Sequence, residues 1–274
     1  IEAEPQHTTR LDEQWGLTAI RMPELWQQPI INERQPIIGI VDTGVDTEHP
    51  ELKGHIAPGG YDIVKDTTFV SDLHGHGTHC AGIIAAQGIQ VSGANPNALI
   101  LPVTVIGPQG TGNIFNIMLG ILRAVREGAD IVSMSLGGNY TSGLYQQVIQ
   151  TAAKKAIIVA AAGNNGYCMH YTHRDLHGMA TPRYPNIPGA YAETIGVMAT
   201  QEDGQMATWS NFDCDGPLQA RNEYNWGYQL RVPGRNILST LPKGKYGFMS
   251  GTSMATPLAA GAISRLLQCR DFSS

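Results

Sequence analysis

The sequence predicts an α/β domain with three layers, in which helices flank both faces of a mostly parallel central sheet. Five short, continuous apolar runs are each typical of a buried strand in a parallel sheet. They occupy residues 36–41, 99–105, 130–136, 156–162 and 194–199. Pro102 interrupts the second run, so that strand is expected to be short or irregular, because proline cannot donate a hydrogen bond to a neighbouring strand.

Helical patterns lie between the apolar runs and after them. Apolar residues recur at spacings of three and four over residues 114–125, and Gly128 supplies a stop signal. A shorter amphipathic pattern covers residues 144–152. Residues 78–86 and 254–269 are instead rich in small side chains, which indicates closely packed helices. Strands that alternate with helices favour right-handed crossovers and a sheet covered on both faces.

The composition argues against several classes of function. The chain has 274 residues, of which 42% are hydrophobic, so it can bury the core of a large globular domain. The formal net charge is −5 and no block of basic residues occurs, which argues against nucleic acid or an anionic membrane as the main partner. No apolar run approaches the roughly 20 residues that a membrane-spanning helix needs.

The first 35 residues are predicted to form an N-terminal extension that packs on the main domain at residues 36–274. The polar start at Ile1 lacks the pattern of a signal peptide. We therefore expect that the chain is a processed or trimmed form.

The four cysteines are widely spaced and form no Cys-x-x-Cys pair, which disfavours a zinc site. Cys80 is interpreted as a small buried hydrophobic residue, the usual role of a free cysteine. Cys168 and Cys214 both lie in loop-like segments and could pair, although the spacing leaves the connectivity open. The fourth cysteine is Cys269.

Three short motifs carry the chemistry. Asp42 follows the first predicted strand, His76 begins a His-Gly-Thr-His run, and Ser253 lies at a predicted helix start. A serine hydroxyl is a weak nucleophile that needs an adjacent base, and the base needs an orienting carboxylate. The three residues are therefore candidates for a catalytic triad. The run Asp-Thr-Gly occurs once, which disfavours a single-chain aspartic protease with two such sites.

These motifs resemble those of the subtilisin-like serine proteases, the subtilases, over roughly residues 36–268. The family's order of Asp, His and Ser is kept. The motifs are Ile-Val-Asp-Thr-Gly-Val at 40–45, His-Gly-Thr-His-Cys-Ala-Gly at 76–82 and Gly-Thr-Ser-Met-Ala-Thr-Pro at 251–257. The resemblance implies a subtilisin-like fold and a serine endopeptidase that forms an acyl-enzyme on Ser253. Its substrate would be a protein or peptide, and its chemistry would require no cofactor.

Two further matches to the family imply residues that face the substrate. In Ala-Ala-Gly-Asn at 161–164, the Asn164 side chain would donate to the oxyanion together with the Ser253 backbone N–H. The family also pairs the strand edge at Ser-Leu-Gly with an extended substrate backbone. The substrate-binding candidates are Ser135, Leu136, Gly137 and Gly163.

The identity of any metal site is left open. The resemblance implies a structural calcium ion, but Glu51 stands where many secreted members have Asp, and residues 87–92 are too few for the usual calcium loop. That site is expected to be degraded, while a different calcium site stays open. The remaining histidines of the motif regions are interpreted as structural or loop residues rather than metal ligands. They are His74, His79, His170, His173 and His177.

Residues 165–193 and 211–227 show little periodicity and are predicted to be surface loops that shape substrate access or bind a partner. A propeptide or an accessory domain is a further candidate partner. The resemblance favours a location outside the cytoplasm after processing, with a cytoplasmic location as the alternative. Three other functions stay open: a dedicated precursor-processing protease, a peptide transamidase on the same fold, and an inactive binding module.

Overall fold

The computed structural model describes residues 10–169, 172–174, 180–182, 185–213 and 227–270. Its helices are α1 Trp15–Ala19, α2 Met22–Trp26, α3 His76–Ala85, α4 Ile114–Arg126, α5 Gly143–Ala153 and α6 Thr252–Cys269. Its strands are β1 Ile37–Asp42, β2 Tyr61–Asp62, β3 Leu99–Thr104, β4 Ile131–Met134, β5 Ile157–Ala161, β6 Thr172–Arg174, β7 Ala180–Pro182, β8 Thr194–Thr200, β9 Leu230–Pro233, β10 Ile237–Leu241 and β11 Lys245–Met249.

Seven strands form one sheet in the order β2-β3-β1-β4-β5-β8-β9, and every neighbouring pair in it is parallel. Parallel strands bring their carboxyl ends to one edge of the sheet, where functional residues gather. Residues that follow β1, β4 and β5 therefore lie on the same side of the molecule.

Helices cover both faces of this sheet. Helices α3 and α6 pack together on one face, and α4 and α5 pack together on the other. Strand β1 lies between them, since Ile38 and Ile40 are buried in the core under α3 and α6 while Val41 is buried in the core under α4. The predicted three-layer α/β class is confirmed.

Each of the five apolar runs forms a strand of the sheet, and each of the four predicted helical segments forms a helix. The expectation of a short or irregular strand at Pro102 is wrong, because β3 continues through it in register with β1. Pro102 packs against Gly60, just before β2 begins. The side of Pro102 that lacks an N–H therefore faces a position before β2, where the sheet has no strand residue paired with it.

The sequence did not indicate several smaller elements. Strands β10 and β11 form an antiparallel hairpin, and β6 and β7 form a second one inside the segment predicted to be a surface loop. Parts of residues 165–193 and most of residues 211–227 lie outside the described residues, and the loop predictions for those parts stay predictions. In the predicted N-terminal extension, Leu17 and Met22 are buried in the core shared with α6. The domain boundary at residue 35 stays a prediction.

Among the described residues, none of the helices combines the length and the apolar character needed to cross a lipid bilayer.

Candidate active site

Asp42 and His76 meet where the end of β1 lies against the start of α3. His76 Nδ1 lies 2.7 Å from Asp42 Oδ1, and the Thr43 backbone N–H donates to the same oxygen at 2.7 Å. The Asp42 side chain is 1% exposed and that of His76 is 20% exposed. A carboxylate can only accept, so Nδ1 carries the hydrogen and Nε2 is left to accept a proton at the surface.

Opposing effects set the pKa of His76. Burial disfavours the charged ring and lowers the pKa, but the charge of Asp42, its hydrogen bond and the charge of Asp72 together outweigh burial. The pKa of His76 therefore lies above its ordinary value of 6.5. This direction suits a base that must hold a proton while a substrate reacts.

Ser253 is the second residue of α6 and is locked to the segment that follows β4. Its Oγ donates to the Ser135 carbonyl at 3.1 Å, and Ser135 Oγ donates to the Ser253 carbonyl at 2.7 Å. No hydrogen bond joins Ser253 Oγ to His76 within the described part of the chain. The hydroxyl must leave the Ser135 carbonyl to reach the imidazole, and such catalytic contacts are often loose before substrate binds.

Cys80 lies between the serine and the Asp–His pair. Its Sγ is 3.5 Å from the Ser253 carbonyl and lies within 4.8 Å of ligand atoms of Asp42 and His76. The residue is free and 1% exposed, and burial is the main reason why the pKa of its thiol is raised. A neutral buried thiol is a poor nucleophile, so the interpretation of Cys80 as a small buried residue is confirmed.

Cys269 ends α6, the helix that contains Ser253, and Cys168 lies four residues after Asn164. Cys168 is in a disulfide and Cys269 is free. Cys214, which the sequence offers as the partner of Cys168, lies outside the described residues.

The orientation of the Asn164 side chain is fixed by the start of α6. Asn164 Oδ1 accepts from the Thr252 backbone N–H at 2.8 Å and from Thr252 Oγ1 at 2.9 Å. The amide nitrogen is therefore left to donate outward, beside a helix N-terminus whose first N–H groups have no intrahelical acceptor. The Ser253 backbone N–H belongs to this first turn, so both predicted oxyanion donors lie at the start of α6.

Ser135, Leu136 and Gly137 follow β4 directly. Gly138 comes next and pairs with Ile187, with reciprocal N–H to carbonyl bonds of 3.0 and 2.8 Å. The structure thus places the predicted substrate-binding segment directly next to Ser253, since Ser135 contacts Ser253 through both its hydroxyl and its carbonyl.

Two asparagines that sequence reasoning missed contact the predicted substrate-binding residues. Asn186 lies against both Gly137 and Gly163. A Cβ atom at Gly137 would collide with its side chain, one at Gly163 would contact it closely, and its Nδ2 donates to the Ala161 carbonyl at 2.8 Å. Asn211 holds the backbone around Gly163, which has a φ of 99° and no room for a side chain. Its Oδ1 accepts from the N–H groups of Asn165 and Tyr167, and its Nδ2 donates to the Ala162 carbonyl.

Among the described residues, neither His74 nor His79 is hydrogen-bonded into the Asp–His pair. His79 is fully buried, its Nε2 lies 3.0 Å from the Gly247 carbonyl, and burial is the main cause that lowers its pKa to about 4. This neutral ring confirms the structural interpretation. His74 is exposed and packs edge-on against His76, with ring centroids 6.2 Å apart. His170 and His177, and the side chain of His173, lie outside the described residues.

Comparison with known proteins gives consistent matches. The subtilase family model matches residues 33–273. Thermitase from Thermoactinomyces vulgaris is 35% identical over 257 residues, which cover 92% of this chain and 81% of that protein. The major intracellular serine protease of Bacillus subtilis (strain 168) is 36% identical over 256 residues, which cover 90% of this chain and 73% of that protein. The crystal structure of a cold adapted subtilisin-like serine proteinase matches with a TM-score of 0.70 and 28% identity, and covers 86% of this chain and 76% of that one.

Proposed function

The chain belongs to the subtilase family and is a subtilisin-like serine endopeptidase, and from that premise we propose that it hydrolyses peptide bonds through an acyl-enzyme on Ser253. The observation that carries this proposal is the 2.7 Å contact between His76 Nδ1 and Asp42 Oδ1, next to a serine at the N-terminus of α6. A buried carboxylate, an imidazole with a free Nε2 and a helix-terminal hydroxyl are the groups that acyl transfer needs.

The proposed reaction has two halves. Ser253 Oγ attacks the scissile carbonyl carbon while His76 Nε2 takes its proton, and Asp42 stabilises the imidazolium that forms. The Asn164 amide and the Ser253 backbone N–H stabilise the oxyanion. Collapse of this intermediate breaks the C–N bond, and His76 returns the proton to the leaving amine. Water then attacks the ester with His76 as base, which releases the acid and restores Ser253.

Substrate would bind as an added strand along Ser135, Leu136 and Gly137. Backbone pairing of this kind is largely independent of the substrate's side chains. Gly163 contributes a backbone surface without a side chain on the opposite wall, and Asn186 joins the two walls through its contact with the Ala161 carbonyl. This arrangement supports an endopeptidase that accepts an extended stretch of polypeptide.

Product analysis on a peptide library in the presence of a competing amine tests the proposal. We expect internal cleavage of many peptides, with acid products that dominate over amide products, and no cleavage by the Ser253→Ala variant. Cleavage confined to one sequence would indicate a dedicated processing protease, and dominant amide products would indicate a transamidase. A folded wild-type protein that cuts no peptide would contradict the enzyme proposal and leave a binding module.

The location of the protein and its partners other than substrate stay predictions. One relative is named an intracellular protease, so a cytoplasmic location is a full alternative to the extracytoplasmic one. Cell fractionation with an antibody to this chain separates the two. The propeptide or accessory domain is a prediction from the resemblance alone.

A further inference from the structure

The loop before α3 contains a buried carboxylate that the reaction scheme does not use. Asp72 is 7% exposed. Its Oδ1 accepts from the N–H groups of His74 and Gly75 and from Thr43 Oγ1, at 3.0, 2.8 and 3.1 Å. Its Oδ2 accepts from the backbone N–H and the hydroxyl of Thr78, at 2.9 and 2.6 Å. Both oxygens are therefore filled by donors.

These bonds connect the start of α3 to the end of β1. Thr43 Oγ1 donates to Asp72 and accepts from the Gly77 backbone N–H at 2.9 Å. The Thr43 backbone N–H donates to Asp42 Oδ1, which is the oxygen that contacts His76. A continuous series of hydrogen bonds therefore runs from Asp72 through Thr43 to Asp42 and His76.

We propose that Asp72 is a positioning residue of the triad, which fixes His76 against Asp42 and adds a second negative charge that stabilises the protonated imidazole. The positioning role follows from the hydrogen bonds of Asp72 and Thr43, which hold both the end of β1 with Asp42 and the start of α3 with His76. The electrostatic part follows from burial, because a charge that is shielded from water acts more strongly on its neighbours.

The other titratable groups around His76 do not supply this charge. Asp42 faces it from the end of β1, His74 packs edge-on from the loop, and His79 and Cys80 follow on α3. The pKa of His79 is lowered and that of the Cys80 thiol is raised, so both are neutral near pH 7. Asp72 is also among the causes that raise the pKa of His76.

The Asp72→Asn variant tests the proposal through the pH profile of kcat/KM, measured per active site titrated with a fluorophosphonate. We expect kcat/KM at its plateau to fall between about 10-fold and about 100-fold because the imidazole is less well placed. We also expect the acid limb to move to lower pH, because loss of a negative charge makes His76 easier to deprotonate. Asp12→Asn removes an exposed charge as a matched control and should move neither quantity.

A second pair of variants separates position from charge. Thr43→Val cuts the link to Asp72 but keeps its charge, so kcat/KM should fall while the acid limb stays in place; Thr43→Ser keeps the hydroxyl and should restore activity. An acid limb that does not move in a folded Asp72→Asn variant would overturn the electrostatic part. Unchanged kcat/KM in Thr43→Val would overturn the positioning part. This measurement tests the positioning role even if Asp72→Asn does not fold.

A second inference rests on Glu51, at the opposite end of α3. Glu51 is fully buried, and its Oε1 accepts from the N–H groups of Gln90 and Val91 at 2.6 and 3.0 Å. Its Oε2 accepts from the Ile89 N–H at 3.0 Å. Nearby, the Gln14 side chain donates to the Ser92 carbonyl and accepts from the Ser92 N–H, both at 2.8 Å.

These contacts do not fit the calcium ion that the family resemblance implies near Glu51. Calcium needs six to eight oxygen lone pairs directed at one point. Here the loop after α3 directs three N–H groups at the carboxylate, and the Gln14 amide is paired with backbone on both of its atoms. We infer that the Glu51 carboxylate, rather than a metal ion, holds the loop at residues 87–92 in place.

Hydrogen exchange at the amides of residues 89–91 tests this inference, in a Ser253→Ala background that prevents self-digestion. We expect exchange at these amides to be the same with calcium and with a chelator, and to speed up in Glu51→Gln. Exchange that slows when calcium is added to the Glu51-containing protein would overturn the inference. The comparison with and without calcium needs no variant at Glu51, so it tests the inference even if Glu51→Gln does not fold.

Discussion

The two ends of α3 are each held by a buried carboxylate, but the partners differ: Asp72 accepts four of its five hydrogen bonds from residues 74–78, whereas Glu51 accepts from the backbone of residues 89–91. At the N-terminal end, Asp72 lies four residues before His76 and binds its own loop, the first turn of α3 and Thr43. At the C-terminal end, Glu51 binds amides that follow α3 and are 38 to 40 residues away. We propose that the contacts of Asp72 set the geometry of His76, whereas those of Glu51 hold the loop that follows α3. Activity and stability should therefore respond separately to changes at the two ends.

The largest expected effect is at Asn164, where one side chain both caps α6 and faces the proposed oxyanion. Asn164→Ala should lower kcat by roughly 100- to 1,000-fold, a magnitude established on subtilisin itself and carried over here. It should also cost about 1 kcal/mol of unfolding free energy, because Thr252 loses its cap. Steady-state kinetics and thermal denaturation measure the two effects.

Asn164→Asp separates these roles. Its carboxylate still accepts from the backbone N–H and the hydroxyl of Thr252, but it has no N–H to donate. We therefore expect stability close to wild type and activity at least as low as in Asn164→Ala. An active Asn164→Asp variant would show that the amide does not stabilise the oxyanion.

The two histidines of α3, His76 and His79, should give stability opposite dependences on pH. The pKa of His79 is lowered to about 4, so its contribution to stability is present above 6.5 and is lost as pH falls from 6.5 to 4. A shift of this size corresponds to about 3 kcal/mol. His76 acts in the opposite sense, because its raised pKa adds stability below 6.5 that is lost as pH rises through the folded-state value.

Chemical denaturation of the Ser253→Ala protein at pH 7 and at pH 4.5 measures this dependence. His79→Gln keeps a side-chain donor for the Gly247 carbonyl but cannot titrate, so most of the loss on acidification should disappear. A pH dependence that is identical in His79→Gln would exclude His79 as its source.

The smallest expected effect sharpens the contrast between the ends of α3. Glu51→Gln should lower the unfolding free energy by about 2 kcal/mol, since hydrogen bonds to a charged group are replaced by weaker ones. In a chain of this length the melting temperature should fall by roughly 4–8 °C. Values of kcat/KM at 25 °C should stay close to wild type. A large loss of kcat/KM would show that the two ends are coupled.

Much of the fold is predictable because its strands are continuous apolar runs and α4 has a clear apolar stripe. The candidates Asp42, His76, Ser253 and Asn164 were recognisable from local motifs, and their roles remain proposals. The prediction at Pro102 was wrong, because the cost of a missing N–H depends on whether a neighbouring strand pairs at that position, which the sequence alone does not show.

The residues that were missed act through contacts that no local pattern records. Asn186 reaches Gly137 from 49 positions away, and Asn211 organises a turn that begins at Gly163. Asp72 is close to His76 in sequence, but its donors come both from residues 74–78 and from Thr43, 29 positions earlier. Glu51 was noticed as a departure from the family, yet the amides of residues 89–91 that contact its carboxylate meet it only when the chain is folded.

The measurement that tests the central claim most directly is the mass of the protein after reaction with a fluorophosphonate, followed by mapping of the modified peptide. The account predicts one adduct per chain, on Ser253, whose formation slows as His76 is protonated and which is absent in Ser253→Ala. A folded wild-type protein that takes no adduct, or that takes it at another residue, would contradict the account.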